Sequence, residues 1–393
     1  MAVTDVLVVG AGPAGSTAAA LLARRGLDVT LVDRAVFPRD KPCAEFLSPG
    51  AVAALAEAGL GHVVRSEERL ALRGFAVYPW EGEPFRAEYG GRAGVAVRRT
   101  ELDHALLQEA ARAGARVRQG VRAVAIRGTP DGPAVAVQAR DGGDGEIAAR
   151  LVIAADGVRS VLARRLGLLR PAGPRRVALV THLAGVAGLG SYGEMHVMPG
   201  AYCGVAPLSA GLANVALVVD VAEAAALRGR PEAYLRERLH GLPHLAARLA
   251  GARQATPVLT VGPMAFRARR ASADGVLLAG DAAGFLDPFT GQGVYRAVRG
   301  ALLAARVAEA ALREGDTSAR RLREYDRLRR EFRGQHAVER LVQAFLARPA
   351  LFRRAAARLA RRPALAERLL GVTGDVLPAR AVLSPAYLAR LVV

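Results

Sequence analysis

The first 33 residues of this chain leave few structural options. Val3 to Val9 is a mostly apolar run, interrupted by Thr4 and Asp5, that ends at a glycine. Pro13 to Arg25 is rich in Ala and Leu, with Pro13 in the first helical turn, where its missing N–H costs nothing. Gly26 closes that helix and Leu27 to Val32 is a second apolar run. The pattern predicts a strand, a helix and a parallel strand within about 30 residues. The turn between the first strand and the helix reads Gly10-Ala11-Gly12-Pro13-Ala14-Gly15. In such a turn Gly10 permits the sharp exit from the strand and Gly12 lets the backbone approach a pyrophosphate. Gly15 allows close helix–strand packing, and the phosphates meet the unpaired N–H groups of a helix N-terminus. Asp33 ends the second strand, about 20 residues on, where an acid binds ribose hydroxyls. Arg34 beside it faces either the nucleotide or solvent. The segment points to an adenine dinucleotide.

Further strands are expected at Arg116 to Arg118, Val121 to Ile126, Ala134 to Ala139 and Ala148 to Ala154, after a helix over Arg99 to Ala113 with Leu102, Leu106 and Ala110 on one face. From Val177 to Leu259, strand-like runs separated by Gly/Pro turns predict an antiparallel sheet that roofs a substrate cavity, with a helical insert from Glu223 to Arg238 broken near Gly229. Gly275 to Gly280 reads as a buried strand and Gly293 to Glu314 as a long helix. Thr317 to Val393 is helical in pattern, with an internal echo, Arg348-Pro349-Ala350-Leu351 and Arg362-Pro363-Ala364-Leu365, in which each proline starts a helix.

Formal net charge is +19 in 393 residues, and Lys41 is the only lysine. The arginines are spread along the chain, and basic patches interleaved with aromatics are missing, so nucleic acid is not an expected partner. The basic, one-sided helices near the C-terminus fit either a lid packed on the main body or a peripheral contact with a membrane or carrier protein. Two cysteines, Cys43 and Cys203, give no disulfide framework or metal signature, as in a reducing compartment. With no signal segment and no uncharged apolar run long enough to span a bilayer, the expected location is cytoplasmic, at most peripheral to a membrane.

Two later segments separate flavin from nicotinamide binding. Asp156-Gly157-Val158-Arg159-Ser160 follows the Ala148 to Ala154 run, and Gly280-Asp281 follows the Gly275 to Gly280 run. With Arg99-x-x-Leu102-Asp103-x-x-Leu106, they resemble the motifs of the para-hydroxybenzoate-hydroxylase superfamily, in family order and over nearly the whole chain. The resemblance implies FAD. It places Asp281 on the ribityl hydroxyls, Arg99 along the phosphates or ribityl chain, and Asp156 with Gly157 on the pyrophosphate side. Asp287-Pro288-Phe289-Thr290-Gly291-Gln292-Gly293 precedes a helix; Pro288, Gly291, Gln292 and Gly293 are expected to border the cofactor, the glycines letting backbone N–H groups point at the flavin N1–C2 edge and the following helix N-terminus stabilising negative charge there.

Arg39 to Pro49 is similar to the Lys-Pro-Cys-Gly-Gly-Gly-Leu-Ser-Pro stretch of geranylgeranyl reductases, whose cysteine faces the substrate cavity. Cys43 carries over, while Ala44, Glu45 and Phe46 stand where the glycines would be. Cys43 and Glu45 are the catalytic candidates; Phe46, Tyr202 and Phe289 are the candidates for the substrate side. In the reductases' Tyr-x-Trp-x-Phe-Pro stretch, Tyr202 and Pro207 remain but Gly204 and Ala206 replace the large side chains. Gly291-Gln292-Gly293 replaces the reductases' common Gly-Glu-Gly.

These departures favour NAD(P)H-driven monooxygenation of a hydrophobic polyketide, aromatic or terpenoid-type substrate. The alternative is geranylgeranyl-reductase-like reduction of carbon–carbon double bonds; a halogenase, or a non-catalytic flavin-binding basic protein, comes further behind. The expected fold is α/β: a FAD-binding Rossmann-like three-layer ββα domain (residues 1–70, 95–170 and 265–315), an antiparallel substrate-binding sheet (71–94 and 171–264) and a helical C-terminal lid (316–393).

Overall fold

The computed structural model describes residues 3–65 and 69–392; residues 1–2, 66–68 and 393 of the expected segments lie outside the described residues. The first apolar run forms the strand Thr4–Val9, buried on both faces between parallel neighbours, Val29–Asp33 and Asp144–Ala154. Burial on both faces explains the unbroken hydrophobic pattern. Arg116–Gln119 extends this sheet on one side and Val276–Leu278 on the other, both parallel; Ser272–Ala273 closes the edge antiparallel. The helices Pro13–Ala23, Arg99–Arg112 and Gly293–Glu314 pack together against it.

Asp144–Ala154 is longer than the apolar stretch at its end. Its first half pairs antiparallel with Gly132–Ala139, which pairs in turn with Val121–Thr129. One strand thus belongs to two β-layers, and Val135 and Val137 of the second join the same core as Leu7 and Ile153. This is the α/β, Rossmann-like ββα architecture.

A second sheet runs in the order Arg253–Gln254, Arg176–Ala184, Leu212–Asp220, Ala201–Ser209, Tyr192–Met198, Gly74–Pro79, Phe85–Glu88. One pairing departs from the expected antiparallel sheet. Tyr192–Met198 and Gly74–Pro79 run parallel, because more than 100 residues separate them and no hairpin joins them. One face is covered by Pro231–His240 through Tyr234, Leu235 and Leu239. The insert breaks at Gly229 (φ +78°), as its glycine suggests. Alternation along the strands puts Ala178, Tyr202, Val218 and Met195 on the other face, packed around Phe289.

The C-terminal helices Arg333–Leu346, Pro349–Arg361, Pro363–Thr373 and Pro385–Val392 close one end of this second sheet. Val338, Leu359, Leu370 and Tyr387 share a core with Phe46, Ala87 and Tyr89. Their apolar stripes therefore face protein. No helix among the described residues is long and apolar enough to cross a membrane.

Candidate active site

Three scattered sequence segments meet at the carboxyl ends of three adjacent parallel strands, where open α/β sheets bind ligands. Val9, Ala154 and Leu278 lie side by side, and the chain leaves them through Gly10, Ala155-Asp156-Gly157 and Gly280-Asp281. The crossing is tight. A Cβ on Gly10, whose φ is +101°, would stand 2.4 Å from the Ala155 carbonyl oxygen, and one on Gly15 would stand 1.8 Å from that of Gly10. A Cβ on Gly280 would come within 2.9 Å of Ala14, so the late segment rests on the start of the first helix. Asp33 accepts from the N–H groups of Ala11 (2.7 Å) and Ala35 (2.8 Å), bracing the same turn. Arg34 is exposed.

The chemistry of this surface fits FAD. The helices beginning at Pro13 and Gly293 have no side-chain cap and no acid in the first turn, whereas those at Pro49 and Ala319 are capped by Ser48 and Ser318. Uncapped N-termini leave N–H groups for a pyrophosphate and for a flavin carbonyl edge. Gly12 faces open space. Buried polar atoms without a partner point to a further group: Arg39 Nη1, Asp156 Oδ1, Thr290 Oγ1 and Gln292 Oε1. Asp156 otherwise accepts from the N–H of Val161 (2.7 Å), and burial raises its pKa.

A cationic cluster adjoins. Arg99 makes a bidentate pair with Asp103 (2.8 and 2.7 Å), and Arg39 reaches the same carboxylate at 2.9 Å. Burial alone would lower the Arg99 pKa; the Asp103 carboxylate outweighs it and the net shift is upward. Lys41 Nζ lies 3.8 Å from Asp281, and burial with the neighbouring Arg99 charge lowers its pKa. Three cations against two carboxylates leave a surplus of one positive charge toward a dianionic pyrophosphate. Lys41 faces Asp281 rather than the apolar cavity.

Glu45 is not a solvated loop residue. It is buried, holds φ +53° and caps the Arg99 helix from outside, accepting from the Arg99 N–H at 2.8 Å. His182 Nε2 lies 2.6 Å from its carboxylate and Asn214 donates to it at 3.3 Å. Asn214 also donates to the Cys43 carbonyl (3.0 Å), and the Cys43 sulfur accepts from the Glu45 N–H (3.4 Å). One carboxylate thus pins the Cys43 loop to the second sheet and to the Arg99 helix. His182 and Asn214 were not among the candidate residues read from the sequence. Their signal was available: polar residues facing each other across two apolar strands.

Tyr202 is buried and donates to Asp287 at 2.6 Å; its ring meets Phe289 edge-on at 5.0 Å. Burial raises the pKa of both Tyr202 and Asp287. Phe46 is buried edge-on against Phe75 at 5.0 Å and touches the space beside Gly291. Tyr202 and Phe46 therefore stand one layer behind Phe289 and Phe75, which line an apolar cavity. The cavity starts at Phe289 and Thr290, next to the Pro288–Gly293 loop, and runs past Phe75 to Phe345, Phe352 and Tyr387 of the C-terminal helices. No charged side chain lines it among the described residues.

A second network ties the C-terminal helices to the Pro288–Gly293 loop. Asp375 is half-buried at φ +60° and accepts from Gln292 (2.5 Å), Gln335 (2.7 Å) and Ser48 (2.8 Å). Burial pushes its pKa up to about 7, against those hydrogen bonds and the Arg296 charge. Gln292 also donates to the Val372 carbonyl (3.4 Å). A glutamate at 292 would set two carboxylates against each other. The glutamine is accounted for by its hydrogen bond to Asp375.

Residues 3–340 match the family model described as FAD binding domain. Digeranylgeranylglycerophospholipid reductase 1 of Methanothermobacter thermautotrophicus is 35% identical over 350 residues, 83% of this chain and 82% of that protein. Menaquinone reductase of Mycobacterium tuberculosis is 44% identical over 169 residues, 42% of this chain and 40% of that protein. Among solved structures, a geranylgeranyl bacteriochlorophyll reductase-like protein from Thermoplasma acidophilum superposes with a TM-score of 0.82 at 25% identity, covering 99% of this chain and 98% of the other. A myxobacterial chondrochloren halogenase superposes at 0.79 and 26% identity, over 86% and 82%.

Proposed function

Since the chain belongs to the FAD-binding-domain family of para-hydroxybenzoate-hydroxylase type, on its geranylgeranyl-reductase-like branch, and is an FAD-dependent oxidoreductase, we propose that it reduces carbon–carbon double bonds in the isoprenoid chain of a hydrophobic substrate. One observation carries this reading: the apolar cavity that leads away from the flavin-edge loop with no charged lining. An uncharged channel suits an extended hydrocarbon; the polar side chains that line it are the hydroxyl-bearing Tyr89, Thr290, Thr373 and Tyr387. The relatives named as reductases of a prenylated lipid and of menaquinone support the same substrate class.

This replaces monooxygenation as the leading reading. Of the two departures that favoured oxygenation, Gln292 is explained by Asp375. Gly204 pairs with Ala216 and Met195, and Ala206 pairs with Asn214, so the small residues set the floor of the sheet face beside the cavity. A flatter floor accommodates a chain as well as a ring.

Bound FAD would supply a hydride, with NAD(P)H as the electron source we favour. Gly12, the Pro13 helix, Arg39 and Arg99 would hold its phosphates, Asp33 its ribose and Asp281 its ribityl chain. Reducing a double bond also takes a proton. Cys43, half-buried on the loop bordering the site, is our candidate donor. Glu45 acts through it by fixing that loop. Phe289 and Phe75 hold the chain, and the C-terminal helices turn apolar side chains toward it. The test is anaerobic: enzyme with chemically reduced cofactor, mixed with a geranylgeranyl-bearing lipid, should regain the oxidised flavin absorbance without oxygen. Absorbance that stays bleached until air is admitted would refute the proposal.

A further inference from the structure

The helix Pro349–Arg361 has two unlike faces. Phe352, Ala355, Ala356 and Leu359 line the cavity, so its apolar side is consumed within the protein. On the other side Arg353, Arg354 and Arg361 are exposed, with Arg348 just before the helix and Arg362 just after it. Between Glu339 and Glu367 the sequence contains no acidic residue. The chain's single tryptophan, Trp80, lies beside this helix. It follows the cavity-lining strand Gly74–Pro79, its indole is 44% exposed, and its neighbour Glu81 is ion-paired to Arg353 at 2.8 Å. The opposing charges nearby are Glu83 and Glu367, both exposed.

We propose that the outer face of Pro349–Arg361, with Trp80, docks the protein onto an anionic lipid bilayer and so presents the cavity to a substrate dissolved in the membrane. Arginines attract an anionic leaflet, and an exposed indole settles at the lipid headgroup level. Because the apolar face of the helix is already buried, attachment is electrostatic with one aromatic anchor, unlike that of an amphipathic helix lying in the interface. It is therefore reversible and weakened by salt. The inference is independent of the reaction type, since any water-insoluble substrate has to be collected from such a phase.

The experiment uses the full-length holoenzyme and vesicles without substrate. Phosphatidylcholine vesicles with and without one quarter phosphatidylglycerol are sedimented with the protein, and the Trp80 emission is followed. Expected are co-sedimentation with the anionic vesicles only, a blue shift of the emission on binding, and release at high salt. The triple variant R354Q/R361Q/R362Q, checked for unchanged circular dichroism and flavin content, should bind about tenfold or more weakly. No binding to anionic vesicles overturns the proposal, as does binding that leaves Trp80 emission unshifted or the triple variant unaffected. These outcomes leave the double-bond reading untouched, since no turnover is measured.

Discussion

Glu45 and Asp375 are non-glycine residues at positive φ, a conformation that costs about 1–3 kcal/mol unless its surroundings fix it. Both are fixed by buried donors. For Glu45 these are the Arg99 N–H, Asn214 and His182. Glu45→Gly relieves the backbone but strands those donors, each worth about 1–3 kcal/mol when left unpaired. The expected outcome is a lower melting temperature together with faster alkylation of Cys43 by iodoacetamide. A variant that melts lower with unchanged alkylation would show that Glu45 does not position the cysteine. Gln292→Glu should destabilise the protein by setting a second carboxylate against Asp375, and adding Asp375→Asn should recover much of the loss; thermal melts of the two variants check this.

Asp375 also carries a pH signature. Its folded pKa is raised to about 7 by burial, above an unfolded value of about 4. Between those limits the folded chain keeps a proton that the unfolded chain has released, so stability falls as pH rises and levels off above about 7. The groups facing it are Ser48, Gln292, Gln335, Arg296, Tyr89 and Tyr295. Melting temperatures of Asp375→Asn should vary less between pH 5 and pH 8 than those of the wild type. Equal pH dependence would exclude Asp375 as the titrating group.

At the scale of elements, the opening strand–turn–helix separates two uses of glycine. A methyl group on Gly15 collides with the Gly10 carbonyl, whereas one on Gly12 meets nothing within 4 Å. Gly15→Ala should therefore unfold or misfold the domain. Gly12→Ala should leave the apo-protein's melting temperature within a degree or two and weaken FAD binding, read by fluorescence titration. A Gly12→Ala protein that binds FAD as tightly as wild type would contradict the placement of the pyrophosphate. These elements were legible because their signals are local: apolar runs, turn glycines and proline helix starts. The parallel pairing of Gly74–Pro79 with Tyr192–Met198 was not, since no local pattern reports a partner more than 100 residues away. The Asp375 network was hidden for the same reason: its members, Ser48, Gln292, Gln335 and Asp375, come from four separate stretches of chain. The cofactor segments could be read one by one; what surrounds Gln292 could not.

At the scale of the molecule, two sheets and a helical end divide the work. The parallel sheet presents one set of strand ends to a dinucleotide, and the second sheet supplies a wall of small and aromatic side chains. The C-terminal helices line the far end of the cavity and reach back through Asp375 to the Pro288–Gly293 loop. The C-terminal helices and the Pro288–Gly293 loop are thus mechanically joined. The central claim is that this cavity serves reduction. The most direct measurement is the product mass after turnover of a geranylgeranyl-bearing lipid with FAD and a reductant. The account predicts gains of about 2 Da for each double bond reduced. A gain of about 16 Da, the mark of an inserted oxygen atom, would contradict it.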